Sequence, residues 1–354
     1  MCSFVVFSSD NLSLSDLSKA LKKVYHRGPD NNYLAIENGL LWGFNRLSIM
    51  DLSSNGNQPF KYDSCELVCN GEIYNYNSFK KLLSQEYIFH SNSDCEVLIP
   101  LYLKYGIEIM CKMLDAEFAL VLYDSKDNSI MAARDPIGIR PMFYGYTKKD
   151  HKISFASEAK ALIDYCDDIM PFPPGHYYKD GKFTCYNDLS NTKFINNDNL
   201  NTIFTNIRTK LISAVEKRLH ADAPIGYLLS GGLDSSLVCS IAQRMIKDPI
   251  KTFAIGMDTD PIDLKYAKQA AYYLGTDHTE VIINKNDVLK TLDEVIYHLE
   301  TFDITTIRAS IGMYLLCKYI HENTTLKVIL TGEVSDELFG YKYTDRKSTR
   351  LNSS

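Results

Sequence analysis

A chain of 354 residues, 45% hydrophobic and 23% charged, has the composition of a soluble globular protein with room for two domains. Its formal net charge of −6 gives no electrostatic basis for binding nucleic acid or an acidic membrane surface. No run approaches the ~20 uninterrupted apolar residues of a membrane span. The nine cysteines form no C-x-x-C pair, which argues against a disulfide framework and a zinc site and for reduced thiols in a cytoplasmic setting.

The start, Met1-Cys2-Ser3-Phe4-Val5-Val6-Phe7, lacks the basic and long apolar regions of a signal peptide. Residues 1–187 read mostly as short strands and turns. Segments 67–69, 118–123, 130–133 and 142–145 are apolar or alternating, and Gly, Pro, Asn and Asp punctuate them. Helices are predicted over 76–83 and from Ser93 to Tyr105. This mixture predicts an α+β first domain of layered antiparallel sheets with helices on their faces. Residues 188–200 are rich in Asn and Asp, bury little and form the predicted linker.

Beyond it the texture changes. Apolar residues at 203, 207, 211 and 215 predict a helix over 200–219. A strand over 224–229, a helix over 236–245, a strand over 252–256, a helix near 264–274 and a strand over 327–330 follow. The alternation predicts an α/β second domain on a parallel, Rossmann-like sheet, 201–345. Residues 346–354 are polar and unpatterned and are expected to be a non-native tail.

Two features carry chemistry. Ser230-Gly231-Gly232-Leu233-Asp234-Ser235-Ser236 falls where a strand ends and a helix begins. Its glycines permit a tight turn and close backbone approach. Loop amides, the hydroxyls of Ser230, Ser235 and Ser236 and the helix start form an anion cradle. Asp234 beside that cradle would repel a bare phosphate, and makes sense if it holds a Mg²⁺ that neutralises the phosphate. The Walker pattern is absent. Cys2 is the second feature. Removal of Met1 would leave a thiol and a free α-amine on one residue, a nucleophile with a built-in base.

The seven-residue loop resembles the pyrophosphate loop of ATP pyrophosphatases, which activate a carboxylate or carbonyl as an adenylate. Glu300-Thr301-Phe302-Asp303-Ile304-Thr305-Thr306-Ile307-Arg308-Ala309-Ser310 and Leu330-Thr331-Gly332-Glu333-Val334-Ser335-Asp336-Glu337 narrow the resemblance to glutamine-dependent asparagine synthetase. In the first half, His26-Arg27-Gly28-Pro29-Asp30, Arg46-Leu47-Ser48-Ile49, Asn70-Gly71-Glu72-Ile73-Tyr74-Asn75, Ser93-Asp94-Cys95-Glu96, the segment 134–141 and Ala156-Ser157-Glu158-Ala159-Lys160-Ala161-Leu162 resemble class II glutamine amidotransferases of the N-terminal-nucleophile type.

The resemblance implies roles. Cys2 would attack the glutamine amide, with Asn70 and the Gly71 N–H as oxyanion hole. Arg46 would pair with the glutamine α-carboxylate, Glu72 and Asp94 with its ammonium, and Leu47, Ser48, Ile49 and Met50 would lend backbone. Leu229, Ile255, Thr331 and Gly332 would line an ATP site with Ser230, Gly231, Gly232, Ser235 and Ser236. Asp234 and Asp336 would hold Mg-pyrophosphate, Glu333 would act at the aspartyl-adenylate or on ammonia, and Thr305, Thr306 and Arg308 would hold aspartate or phosphate. Segment 134–141 is expected to be structural, a braced turn with an internal ion pair. Taken alone, Asn70-Gly71 would read as a hairpin turn. A homodimer, and a dry passage for ammonia, are further implications.

Two local departures stand out. The family usually has Gly where this chain has Val334, and a Gly-Gly pair where it has Gly340-Tyr341. With the tail, they lead to the expectation of an incomplete second domain. The competing readings are an amidotransferase with another acceptor or an inactive second domain, and a nutrient-sensing or binding protein that keeps the fold.

Overall fold

The computed structural model describes residues 1–191, 197–259 and 261–340. Residues 192–196 of the predicted linker, Tyr341 and the tail 346–354 lie outside these. The chain divides into two compact units, Met1–Asn197 and Asp198–Ser354.

The first unit contains two antiparallel sheets of six strands each. One runs in the order Cys166–Pro171, Phe143–Thr147, Ile153–Ala156, Ser3–Phe7, Leu40–Arg46, Asn31–Glu37. The other runs Lys182–Cys185, His176–Lys179, Ser129–Arg134, Ala116–Asp124, Cys65–Ile73, Phe60–Tyr62. Phe4, Val6, Trp42, Phe44 and Phe155 of the first pack on Val68, Val121, Ala132 and Tyr178 of the second. On the outer face of the first sheet, Val5, Phe7 and Leu41 meet Leu17, Ala20 and Leu21 of the helix Leu14–Lys22. Ser3–Phe7 is therefore buried on both faces, which is why its sequence is a continuous apolar run rather than an alternation. The helix Leu98–Met113 lies against Cys65–Ile73 and Phe60–Tyr62. Layered sheets with covering helices are the predicted class.

Boundaries differ where local chemistry was underread. The helix Leu14–Lys22 starts at a capping box between Ser13 and Asp16, a spacing visible in the sequence. The helix expected to end at Tyr105 continues to Met113 across a kink at Gly106.

In the second unit, four described strands form a parallel sheet in the order Asp277–Ile283, Lys251–Met257, Ile225–Leu228, Val328–Leu330. In sequence terms this is 3-2-1-4. The order reverses between Ile225–Leu228 and Val328–Leu330, so the loops leaving those two strands diverge and leave a crevice at their carboxyl ends. The helices Leu200–Arg218, Leu233–Met245, Ile262–Leu274, Lys285–Leu299 and Ile304–Asn323 accompany the sheet. Among the described residues no helix is long and apolar enough to cross a membrane.

Candidate active sites

Strand register builds the first site. Ser3 pairs with Asn45, so the next residues outward, Cys2 and Arg46-Leu47, come together. The Cys2 thiol donates to the Leu47 carbonyl at 3.6 Å, and the Leu47 N–H donates to the sulfur at 3.4 Å. Burial pushes the thiol above its ordinary pKa, and the neighbouring chain-start amine pulls it back. The same burial pushes that amine, on Met1, down to about 5.

Asn70 and Gly71 lie inside the strand Cys65–Ile73, paired with Ala119 and Phe118, not in a hairpin turn. A Cβ on Gly71 would sit 2.8 Å from the Glu117 carbonyl oxygen, so only glycine lets the strands meet at this point. Asn70 is 1% exposed, and its amide nitrogen has no hydrogen-bond partner. A buried donor left unpaired costs about 1–3 kcal/mol. Here it faces the pocket that holds Cys2.

Of the first-half residues singled out from the sequence, Cys2, Arg46, Leu47, Ile49, Met50, Asn70, Gly71, Glu72 and Asp94 line this one pocket. Ser48 does not; its N–H donates to Asp30. Arg46 spends both terminal nitrogens on the loop below it: Ser53 O and the Asn57 side chain at 2.7 Å, Met50 O at 3.2 Å, and Asp51 O. Asp94 accepts from the Ile73 N–H at 2.6 Å. Burial, then the charge of Asp94, pushes Glu72 well above the usual carboxylate range. Two neighbouring carboxylates on one wall, Asp94 buried and Glu72 half-buried, favour a cationic group between them.

Arg140 also lines the pocket. Its segment is braced, but not by an ion pair between Arg134 and Asp135. Arg134 donates to the carbonyls of Gly138, Arg140 and Phe172, each at 2.7 Å. Asp135 accepts the N–H groups of Ile137, Gly138, Ile139 and Arg140. This nest turns Arg140 inward, where it meets Glu117 at 3.6 Å.

The second site occupies the crevice of the parallel sheet. Leu229, Ser230, Gly232, Asp234, Ser235, Ile255, Thr331, Gly332, Glu333 and Asp336 line one pocket. Gly231 has φ +80, and a Cβ there would sit 2.4 Å from the Tyr266 backbone, so the turn demands glycine twice over. Gly231 and Ser236 stand behind the lining. Ser230 and Ser235 share a 2.9 Å hydroxyl contact, and Asp234 accepts from the Ser335 hydroxyl at 2.9 Å. The helix Leu233–Met245, with Gly232 as its N-cap, begins earlier than expected, which aims its free N–H groups into the crevice.

Thr305, Thr306 and Arg308 do not line this pocket. They form the first turn of the helix Ile304–Asn323, capped by Asp303, whose later turns contribute Ala309, Gly312, Met313 and Leu316 to the wall. Asp263 was not singled out from the sequence, since an acid in the first turn of a helix is ordinary. Hydroxyls and helix amides opposite Asp234 and Asp336 suit a Mg-nucleotide. Among the described residues no three acidic side chains converge as a ready-made metal site. Magnesium that takes one or two carboxylates and completes its shell with phosphate oxygens needs none.

Val334 sits at φ +75, ψ −7, between Glu333 and Ser335. The loop does require the left-handed region, and a β-branched residue occupies it at a cost of roughly 1–2 kcal/mol. Val334→Gly is expected to raise the stability of the second unit by roughly 1 kcal/mol, read as a higher urea midpoint. An unchanged or lower midpoint would show that the valine is unstrained.

The glutamine amidotransferase domain model matches residues 1–178, and the asparagine synthase model matches residues 206–353. A probable glutamine-hydrolysing asparagine synthetase of Acanthamoeba polyphaga mimivirus is 39% identical over 96% of this chain and 67% of its own length. The asparagine synthetase of Cricetulus griseus is 40% identical over 97% and 67%, and asparagine synthetase 1 of Saccharomyces cerevisiae 41% identical over 90% and 61%. The chain thus spans about two thirds or less of the length of these relatives.

Proposed function

Since this chain belongs to the family of glutamine-hydrolysing asparagine synthetases, we propose that it forms asparagine from aspartate, with glutamine as nitrogen source and Mg-ATP as energy source. The reading is supported by the presence, on one chain, of a thiol pocket with an unpaired amide donor and an anion cradle at a sheet switch point.

In this reading Met1 is removed and the α-amine belongs to Cys2. The burial that lowers the pKa of the Met1 amine would act in the same direction on a Cys2 amine, which favours the neutral form that takes the thiol proton. The sulfur attacks the glutamine amide carbon. The developing oxyanion accepts from the Asn70 amide and the Gly71 N–H, a donor pair that needs no reorganisation. Ammonia leaves, and water releases glutamate from the thioester. Glu72 and Asp94 receive the substrate ammonium, whose charge favours the ionised form of both. For the α-carboxylate Arg46 offers its Nε, or trades a loop carbonyl. Arg46 also holds the wall formed by Met50 and Asp51 in place.

In the second pocket the β-carboxylate of aspartate attacks the α-phosphorus of ATP and expels pyrophosphate into the Ser230–Ser236 cradle. Asp234 and Asp336 would hold a magnesium ion carried by the nucleotide, which would supply neutralising charge beside the leaving group. Leu229, Ile255, Thr331 and Gly332 would flank the nucleotide, and Glu333 would receive a proton as ammonia attacks the adenylate and AMP leaves. Thr305, Thr306 and Arg308 would bind aspartate or phosphate only at the outer end of this pocket. The unpaired state of all nine cysteines supports a cytoplasmic setting. A homodimer belongs to the proposal on family membership alone.

The test is pyrophosphate release from Mg-ATP with ammonium as nitrogen donor. Release that requires aspartate is the expected result; release independent of aspartate, or stimulated by a different carboxylate, would assign the second pocket another acceptor.

A further inference from the structure

The turn His26-Arg27 and the loop Ser157–Lys160 lie outside the pocket lining, yet they converge on the first residues of the chain. The Arg27 Nε donates to the Cys2 carbonyl at 3.2 Å, and its Nη1 donates to Glu158 at 2.8 Å. His26 Nε2 lies 3.3 Å from the same oxygen of Glu158, and Lys160 donates to the other oxygen at 2.7 Å. Glu158 is 5% exposed. Its neighbour Ser157 brackets Phe4 from both sides: its N–H donates to the Phe4 carbonyl, and its hydroxyl accepts from the Phe4 N–H, both at 3.0 Å.

A carboxylate buried among three basic side chains is more than strand packing requires. Ser157 already anchors Phe4 through two neutral bonds. Without Glu158, Arg27 would keep one long bond to a carbonyl and its guanidinium would be free to turn toward solvent. With Glu158, the guanidinium is clamped in one orientation, and the Cys2 carbonyl is fixed with it. That in turn sets the direction of the thiol and of the α-amine, the two groups whose alignment decides attack.

We propose that Glu158 is a positioning residue for the nucleophile, acting through Arg27 on the backbone of Cys2. The inference rests on the reading of Cys2 as nucleophile. The groups facing Glu158 are Arg27 and His26 from the turn and Lys160 from its own loop; together they hold its carboxyl well below the usual range, so it is charged at every working pH. Its charge also balances Arg27, which lies close enough to the chain-start amine to depress that amine's pKa.

The test is Glu158→Gln, assayed for glutamine hydrolysis across pH. Misalignment predicts a fall of roughly 10–100-fold in kcat. KM should change little, since Glu158 does not line the pocket. The sign of the pH effect follows from charge. With Glu158 neutral, Arg27 is unbalanced and lowers the amine pKa further, so the acidic limb of kcat/KM moves down by roughly half a unit. Glu158→Asp keeps the charge and should keep the limb in place, with kcat between the two. Lost packing alone would lower the folded fraction of both variants and move neither limb; that result overturns the proposal, as does a wild-type kcat in Glu158→Gln. Should Glu158→Gln not fold, Glu158→Asp decides, with kcat counted per folded molecule: a reduced kcat at unchanged KM supports the role, and full activity per folded molecule refutes it. Absence of glutamine hydrolysis in the wild-type chain would instead sink the reading of Cys2.

Discussion

Cys2→Ser is expected to reduce glutamine hydrolysis at least about a thousandfold and to leave aspartate-dependent pyrophosphate release with ammonium within about twofold of wild type. Serine is close in size, so the packing around Leu47 and the strand Ser3–Phe7 stays intact. It also leaves a small second residue, so removal of Met1 is equally plausible in the variant. What changes is the nucleophile. A thiol is intrinsically the stronger nucleophile and the more acidic group, so in a site arranged for sulfur the same α-amine activates a hydroxyl far less. Loss of a covalent nucleophile is not divided among its neighbours, because the groups act as a unit. Hydrolysis within tenfold of wild type would show that the thiol does not form the acyl intermediate. An unchanged loss in a protein whose N-terminal mass retains Met1 would assign the defect to processing.

The second large effect falls at Asn70. Asn70→Ala should lower kcat for glutamine hydrolysis by about 100–1000-fold, the cost of one oxyanion donor, with KM nearly unchanged. The interaction is made with the intermediate and not with the ground-state amide, which is why kcat carries the loss. Stability provides a second, opposite readout. The Asn70 amide nitrogen is buried and unpaired, so its removal relieves a desolvation cost. The variant should therefore unfold at the same urea concentration or a slightly higher one. A destabilised variant with only mildly reduced kcat would mean that the amide is structural. Asn70→Asp should be worse in rate, because it puts a carboxylate where negative charge develops, beside Glu72 and Asp94.

How much of this could be read from the residues depends on whether the signal was local. The α/β alternation after residue 200 implied the parallel sheet, but not the 3-2-1-4 order that opens the crevice, because strand order is a long-range property. The helix Leu14–Lys22 was missed although Ser13 and Asp16 announced it. Asn70-Gly71 shows the limit of dipeptide reasoning: a favoured turn pair lies in mid-strand because the close approach to Glu117 requires glycine. Val334 is the converse case. The glycine expected at that position pointed to a positive φ, and the structure has φ +75 there with valine in place. Arg140 and Glu158 lie in segments that carry the family resemblance, but the sequence assigns neither a functional role. Each reaches the first residues from more than a hundred positions away, one through the Asp135 nest and the other through Arg27, and no spacing in the chain announces either.

The central claim is that nitrogen released at Cys2 ends on an aspartate activated in the second pocket. Incubation of the chain with Mg-ATP, aspartate and glutamine labelled at its amide nitrogen tests this directly, by following glutamate, pyrophosphate and label in asparagine. The account predicts all three, with labelled asparagine and pyrophosphate formed in equal amounts. Glutamate formed with neither aspartate-dependent pyrophosphate nor labelled asparagine would contradict it.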